Sequence, residues 1–273
     1  VICALLVFTC ASAHAFEFRQ FIYPTVIANW TETPVIPPMG FQDFYLSDSY
    51  TGRHPGLLIH GWSRFVEDES RPTVVYVSGN GETLGSIAED ALKHLSTFSN
   101  VNLVFFEYPQ YGDSKGPLTQ ASILRSATLA IEHVKHMRPN SPITVLGLSF
   151  GGAVATLLAA KPNVAPMISR LILLNPLPGV RYMFDRKFAT SLLPTSESDF
   201  DAIYVACEVK AHTLFIHGLE DGRIPTSVSR TFREQFANRT KEKRLVTLEV
   251  PGASHKGILD APEVWRAVDQ FIR

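Results

Sequence analysis

Cysteine is scarce in this chain, and charge of either sign is nowhere concentrated. The 273 residues hold three cysteines, Cys3, Cys10 and Cys207. If the N-terminal stretch is removed, Cys207 stands alone, and a lone thiol builds no internal disulfide. Stability must then come from a packed core. No Cys/His spacing matches a zinc site. Lysine and arginine (25) nearly balance aspartate and glutamate (26), for a formal net charge of −1. That balance, with no basic run, argues against nucleic acid as the main partner. Internal repeats and low-complexity tracts are also missing. What remains is an ordinary globular composition, 45% hydrophobic and 19% charged, long enough for one large α/β domain.

The N-terminus stands apart. Val1-Ile2-Cys3-Ala4-Leu5-Leu6-Val7-Phe8-Thr9-Cys10 is continuously apolar and Ala13-His14-Ala15 follows. An apolar core before an A-x-A site reads as a signal peptide over residues 1–15, cleaved after Ala15, with a secreted or periplasmic product spanning 16–273. The alternatives are the end of a longer membrane anchor, since about 20 apolar residues span a bilayer, or a buried first strand. Val-Phe-Thr before Cys10 is a poor match to a lipoprotein site. Asn29-Trp30-Thr31 and Asn238-Arg239-Thr240 fit the glycosylation acceptor pattern.

Beyond a Pro-containing lead-in at 16–38, Phe41–Leu46 alternates as an early strand, and Leu57–Trp62 reads as the next. Together they suggest an antiparallel edge. From Thr73 the rhythm changes. Thr73-Val74-Val75-Tyr76-Val77 and Val101–Phe106 are short apolar runs of the kind buried on both faces of a parallel sheet. Helical periods follow each of them, through Ile87, Ala91, Leu92 and Leu95, and through Ile123, Ala127, Ala130, Ile131 and Val134. Strands are expected again at Pro142–Leu146, Arg170–Leu174, Thr213–His217 and Leu245–Val250, with helices near 227–237 and 262–272. Alternating strands and helices mean a mostly parallel sheet covered on both faces. Residues 176–210 interrupt the alternation. With Met183, Phe184, Phe188, Leu192, Leu193, Phe200 and Tyr204, they read as a small cap over the carboxyl ends of the strands.

The chemistry centres on Gly147-Leu148-Ser149-Phe150-Gly151-Gly152, between an apolar strand and an Ala-rich helix. Gly-x-Ser-x-Gly in that setting is the nucleophile-elbow pattern. The serine sits on a strained turn above the sheet, and Gly147 and Gly151 remove Cβ atoms where strand and helix approach. The helix start aims backbone N–H groups at developing negative charge.

A serine hydroxyl needs a base, and the base an orienting group. With this elbow the order is nucleophile, acid, base. Asp221, in His217-Gly218-Leu219-Glu220-Asp221-Gly222 just past a buried strand, is the expected acid, with Glu220 its local competitor. Asn175, at the end of the preceding strand, supplies no carboxylate. His255, in Val250-Pro251-Gly252-Ala253-Ser254-His255 after the last strand, is the expected base. Of the nine histidines it alone follows the acid. One oxyanion N–H is expected from Phe150. The other should come from Ser78-Gly79-Asn80-Gly81, with Asn80 favoured over Gly81.

Three matching pieces are similar to the α/β-hydrolase superfamily: Gly147–Gly152, His217-Gly218-x-x-Asp221-x-x-x-Pro225 and Gly252-Ala253-Ser254-His255, in the superfamily's order. The likeness covers about residues 40–273. Within it, Ser78-Gly79-Asn80-Gly81 and Glu107-Tyr108-Pro109-Gln110-Tyr111-Gly112-Asp113-Ser114 resemble the Bem46-like serine hydrolases. Ser78 stands where that subfamily has histidine, and Glu107 where it has aspartate. The resemblance implies the α/β-hydrolase fold and hydrolysis of an ester, thioester or amide without a metal or organic cofactor. The apolar cap favours an acyl-ester or lysolipid-like substrate and leaves room for contact at a membrane surface. Peptidase or amidase action on the same triad is the runner-up. A non-catalytic binding protein on the same fold is the reading from another class.

Overall fold

The computed structural model describes residues 36–48, 56–179, 182, 200–237 and 244–273. The expected signal segment, both glycosylation motifs and the middle of the expected cap, with Met183, Phe184, Phe188, Leu192 and Leu193, lie outside the described residues.

Eight strands form one sheet: β1 (Gln42–Ser47), β2 (Leu58–Arg64), β3 (Thr73–Val77), β4 (Asn102–Phe106), β5 (Ile143–Leu148), β6 (Ile168–Leu174), β7 (His212–Gly218) and β8 (Leu245–Val250). Their spatial order is β1-β2-β4-β3-β5-β6-β7-β8. The β1–β2 and β2–β4 pairs are antiparallel and the remaining pairs parallel, so the early strands do form the antiparallel edge. Every residue of β3, β4 and β5 is buried, as expected of apolar strands covered on both faces.

The helices divide between those faces. Residues 84–95 form α1, whose middle turn is of the π type. It packs with α6 (Pro262–Ile272) over Val74, Tyr76, Leu146 and Leu148. On the other face, α2 (Gln120–Met137), α3 (Phe150–Ala160), the short α4 (Ala202–Val205) and α5 (Thr226–Ala237) cover Val75, Val77, Val145 and Phe215. Alternate residues of one strand thus feed two cores, which a side-chain period of two requires. Helix α2 starts where Thr119 and Ser122 cap each other, Ser122 N donating to Thr119 Oγ1 at 3.2 Å and Thr119 N to Ser122 Oγ at 3.0 Å.

This strand order places the site. The chain steps from β3 to β4 on one side, then crosses back to lay β5 on the other side of β3. A crevice opens at the carboxyl ends of strands where the order reverses. Val77 is paired with Gly147, so the loop after β3 and the elbow after β5 leave the sheet side by side. Phe200, just ahead of α4, lies over the same ground. Phe200 is fully buried and its ring meets that of Phe150 edge-on at 4.7 Å.

A polar cluster centred on buried His60 and Glu107 ties the antiparallel edge to β4. His60 on β2 lies with Nδ1 3.1 Å from Glu107 Oε2 and Nε2 3.1 Å from Asp43 Oδ1, with Asp113 Oδ2 at 4.0 Å and the Tyr45 ring stacked on it at 4.7 Å. Burial works against the imidazolium, but the hydrogen bonds and charges of Glu107 and Asp43 outweigh it and raise the His60 pKa. A raised pKa means that the folded state holds the proton more tightly than the unfolded chain. The resulting stabilisation is complete below the free histidine value of about 6.5 and is lost as pH rises through the raised value. The melting temperature is therefore expected to fall as pH rises above about 6.5 in the wild type, and to fall less in His60→Gln. Equal slopes by calorimetry would contradict this.

Candidate active site

Ser149 closes β5 and opens α3 with φ 53° and ψ −114°, a conformation that a side chain adopts only under strain. The surroundings fix it there. Ser149 N donates to Leu174 O, while Ser149 O accepts from the N–H groups of Gly152 and Leu177, each at 2.9 Å. Glycine is required on both sides of the serine. A Cβ on Gly151 would overlap the Val77 carbonyl oxygen, and one on Gly147 would lie 2.7 Å from the Gly151 carbonyl carbon. Gly152 meets the same limit against Pro176, whose Cα would be 2.8 Å from an added Cβ.

Asp221 follows β7 and His255 follows β8, both on turns at the carboxyl edge where the elbow opens. The fold brings the three side chains together. His255 Nε2 is 2.9 Å from Ser149 Oγ, and His255 Nδ1 is 2.7 Å from Asp221 Oδ2. An Nδ1–H donating to the carboxylate leaves the Nε2 lone pair for the serine hydroxyl. Asp221 Oδ1 accepts from the N–H groups of Arg223 at 2.8 Å and Ile224 at 2.9 Å. Burial by itself would raise the Asp221 carboxyl. The bonds from His255, Ile224 and Arg223 overcome it and hold the group below the usual carboxylate range. Asp221 and His255 are 5% and 9% exposed, so both lie largely out of water. Glu220 is exposed, whereas Asp221 is buried.

Asn175 is a part of the site that the sequence conceals. It is fully buried at φ 42°, at the end of β6. Its Nδ2 donates to His255 O at 3.0 Å and to Ser254 O at 3.4 Å, and its Oδ1 accepts from Gly218 N at 2.8 Å. One carboxamide therefore joins the ends of β6 and β7 to the loop that carries the histidine. His217 adds a second tie on the acid's side, its Nε2–H donating to Ile224 O at 3.0 Å. Burial lowers the His217 pKa, which suits it to a neutral donor role.

Phe150 is the first residue of α3, and Asn80 sits in the loop after β3. A Cβ on Gly151 would also be 2.5 Å from Ser78 O, so the helix start and the loop lie in direct contact. Glu82 shapes that loop from below, its Oε2 accepting from Gly79 N at 2.6 Å and from Tyr76 OH at 3.4 Å. Burial raises the Glu82 carboxyl. Among the described residues no group of three or more His, Cys, Asp or Glu is placed to hold a metal ion, and no helix is long and apolar enough to cross a membrane. Cys207 is a free, partly exposed thiol just after α4.

No family model matches the chain. Curated relatives do. The α/β-hydrolase domain-containing protein WAV2 of Arabidopsis thaliana is 26% identical over 272 residues, covering 92% of this chain and 84% of its own length. Protein bem46 of Schizosaccharomyces pombe is 33% identical over 122 residues, 44% of this chain and 40% of that protein. The lysophosphatidylserine lipase ABHD12 of Gallus gallus is 23% identical over 237 residues, 77% of this chain and 61% of that protein. Among solved structures, the Pyrococcus furiosus esterase Pf2001 superposes with a TM-score of 0.66 at 19% identity, over 85% of this chain and 91% of its own. With the eight-stranded sheet, the strand order and these neighbours, the chain has the α/β-hydrolase fold and is similar in sequence to the proteins named WAV2, bem46 and ABHD12.

Proposed function

We propose that the chain is a serine hydrolase that cleaves an acyl ester or thioester. Ser149 Oγ attacks the acyl carbonyl while His255 Nε2 takes its proton. Asp221 holds the imidazole in the required tautomer and stabilises its positive charge. The N–H groups of Phe150 and Asn80 receive the oxyanion. His255 then returns the proton to the departing alcohol or thiol, leaving an acyl-serine. Water, deprotonated by His255, attacks the acyl carbon and releases the acid with Ser149 restored. The observation that carries this reading is His255 between Ser149 Oγ at 2.9 Å and Asp221 Oδ2 at 2.7 Å. The names lipase and esterase among the relatives, and the apolar Leu177 and Phe200 beside the elbow, favour a lysolipid-like acyl substrate.

Hydrolysis of p-nitrophenyl esters of increasing acyl length, beside the matched thioester and anilide, tests it. Ester and thioester turnover well above anilide turnover is expected. Faster anilide cleavage would favour the peptidase reading, and no turnover by a folded protein would favour a binding role. Asp221→Asn removes the tautomer control while keeping the shape, and its expected cost is about 10³- to 10⁴-fold in kcat.

A further inference from the structure

The Glu107–Ser114 turn after β4 takes no part in the steps above, yet it touches both halves of the oxyanion hole. Tyr108 is fully buried and donates its hydroxyl to Ser78 O at 2.8 Å. Its ring meets that of Phe150 edge-to-face at 5.8 Å. Tyr111, 1% exposed, donates its hydroxyl to Asn80 Oδ1 at 3.0 Å and meets Tyr108 edge-to-face at 5.7 Å. Two packed rings thus run from one donor residue, Phe150, to the other, Asn80.

The turn that carries the rings is itself rigid. Tyr111 N donates to Tyr108 O at 3.0 Å, and Ser114 N to Tyr111 O at 2.9 Å. Glu107 accepts from Asp113 N at 3.1 Å and, through its other oxygen, from Leu84 N at 2.9 Å in the first turn of α1. Gly112, at φ 48°, lies so close to the Glu107 carboxylate that any Cβ would overlap it.

The loop it faces is the opposite. Asn80 lies between Gly79 and Gly81, and Gly81 has φ 80°. Glycine on both sides gives the backbone its least intrinsic stiffness at the point where a donor must be aimed. A donor contributes only when it lies about 2.7–3.1 Å from the oxyanion position. Glu82 fixes Gly79, and the Asn80 side chain offers the next handle.

We propose that Tyr111 is a positioning residue for the oxyanion hole, holding Asn80 by its carboxamide so that the loop and Phe150 present their N–H groups to the same point. This rests on the reading of Phe150 and Asn80 as donors. Tyr111 is buried behind the loop, so its contribution belongs to the transition state rather than to substrate binding.

The test uses Tyr111→Phe, which keeps the ring packing, and Asn80→Ala, in the part-exposed loop, with the double variant. The probes are p-nitrophenyl butyrate turnover and the rate of inactivation by a fluorophosphonate. Each single variant is expected to lose roughly ten-fold in kcat and in inactivation rate, a partial version of the 10²- to 10³-fold seen when a donor is removed outright. KM should stay within about two-fold, and the double variant should be no slower than the slower single, as for two ends of one interaction. Wild-type kcat in either single, a loss confined to KM, or losses that multiply in the double would overturn the proposal. If the wild type itself neither turned over nor reacted through Ser149, the proposed function would fall and this inference with it. A reactive wild type beside an unaffected Tyr111→Phe would remove the inference alone.

Discussion

His255→Ala is expected to lower kcat on a p-nitrophenyl ester by about a million-fold, the scale on which triads of this kind fail when nucleophile or base is lost. That is about 8 kcal/mol of barrier. The reason lies in the geometry. The imidazole stands between the other two groups, with Nε2 2.9 Å from Ser149 Oγ and Nδ1 2.7 Å from Asp221 Oδ2, so the carboxylate acts on the serine through it. Ser149→Ala should cost as much, and the double variant no more than either single. Groups that act as one unit lose their joint effect once. A double variant slower by the product of both losses would mean that His255 and Ser149 work independently, contrary to the proton transfer proposed.

Gly151→Ala is the second large effect. It adds a single methyl group, but that methyl would overlap the Val77 carbonyl and sit 2.5 Å from Ser78 O. Both oxygens belong to backbone at the end of β3, inside a sheet bonded on both sides, so no side chain can turn away. Overpacking of this kind costs roughly 1–3 kcal/mol or more. In a domain of this size that lowers the melting temperature by about 3–10 °C. Relief can come only from moving α3 or the loop after β3 that carries the proposed second oxyanion donor, so activity should fall further than stability does. The comparison is Gly222→Ala, where an added Cβ would meet nothing within 4 Å. A Gly151→Ala protein with wild-type melting and turnover would show that the elbow and the loop are not pressed together as described.

The parts legible in the sequence are those coded by near neighbours along the chain. β3 matches its five-residue apolar run, Thr73–Val77, because a strand buried on both faces needs no partner to be recognised. Gly147, Ser149 and Gly151 were readable because a sharp strand-to-helix turn dictates residue types at fixed offsets. The placement of Asp221 and His255 followed from turns at the ends of strands. Asn175 was not readable as a part of the site. Its side chain lacks the carboxylate that a catalytic acid needs, and its place comes instead from bonds to Ser254 and His255, about eighty positions away, and to Gly218. The Tyr111–Asn80 bond spans 31 positions and the His60–Glu107 pair 47. Such pairings are created by which strand ends the sheet order lays side by side, β2 by β4, β4 by β3, and β6, β7 and β8 in a row, and no local pattern announces them.

The most direct measurement is the intact mass of the protein after reaction with a fluorophosphonate, followed by peptide mapping. The proposed chemistry predicts one adduct on Ser149 in the wild type, none in Ser149→Ala, and a much slower adduct in His255→Ala. An adduct on any other residue, an undiminished reaction in Ser149→Ala, or a folded wild type that stays unmodified would contradict it.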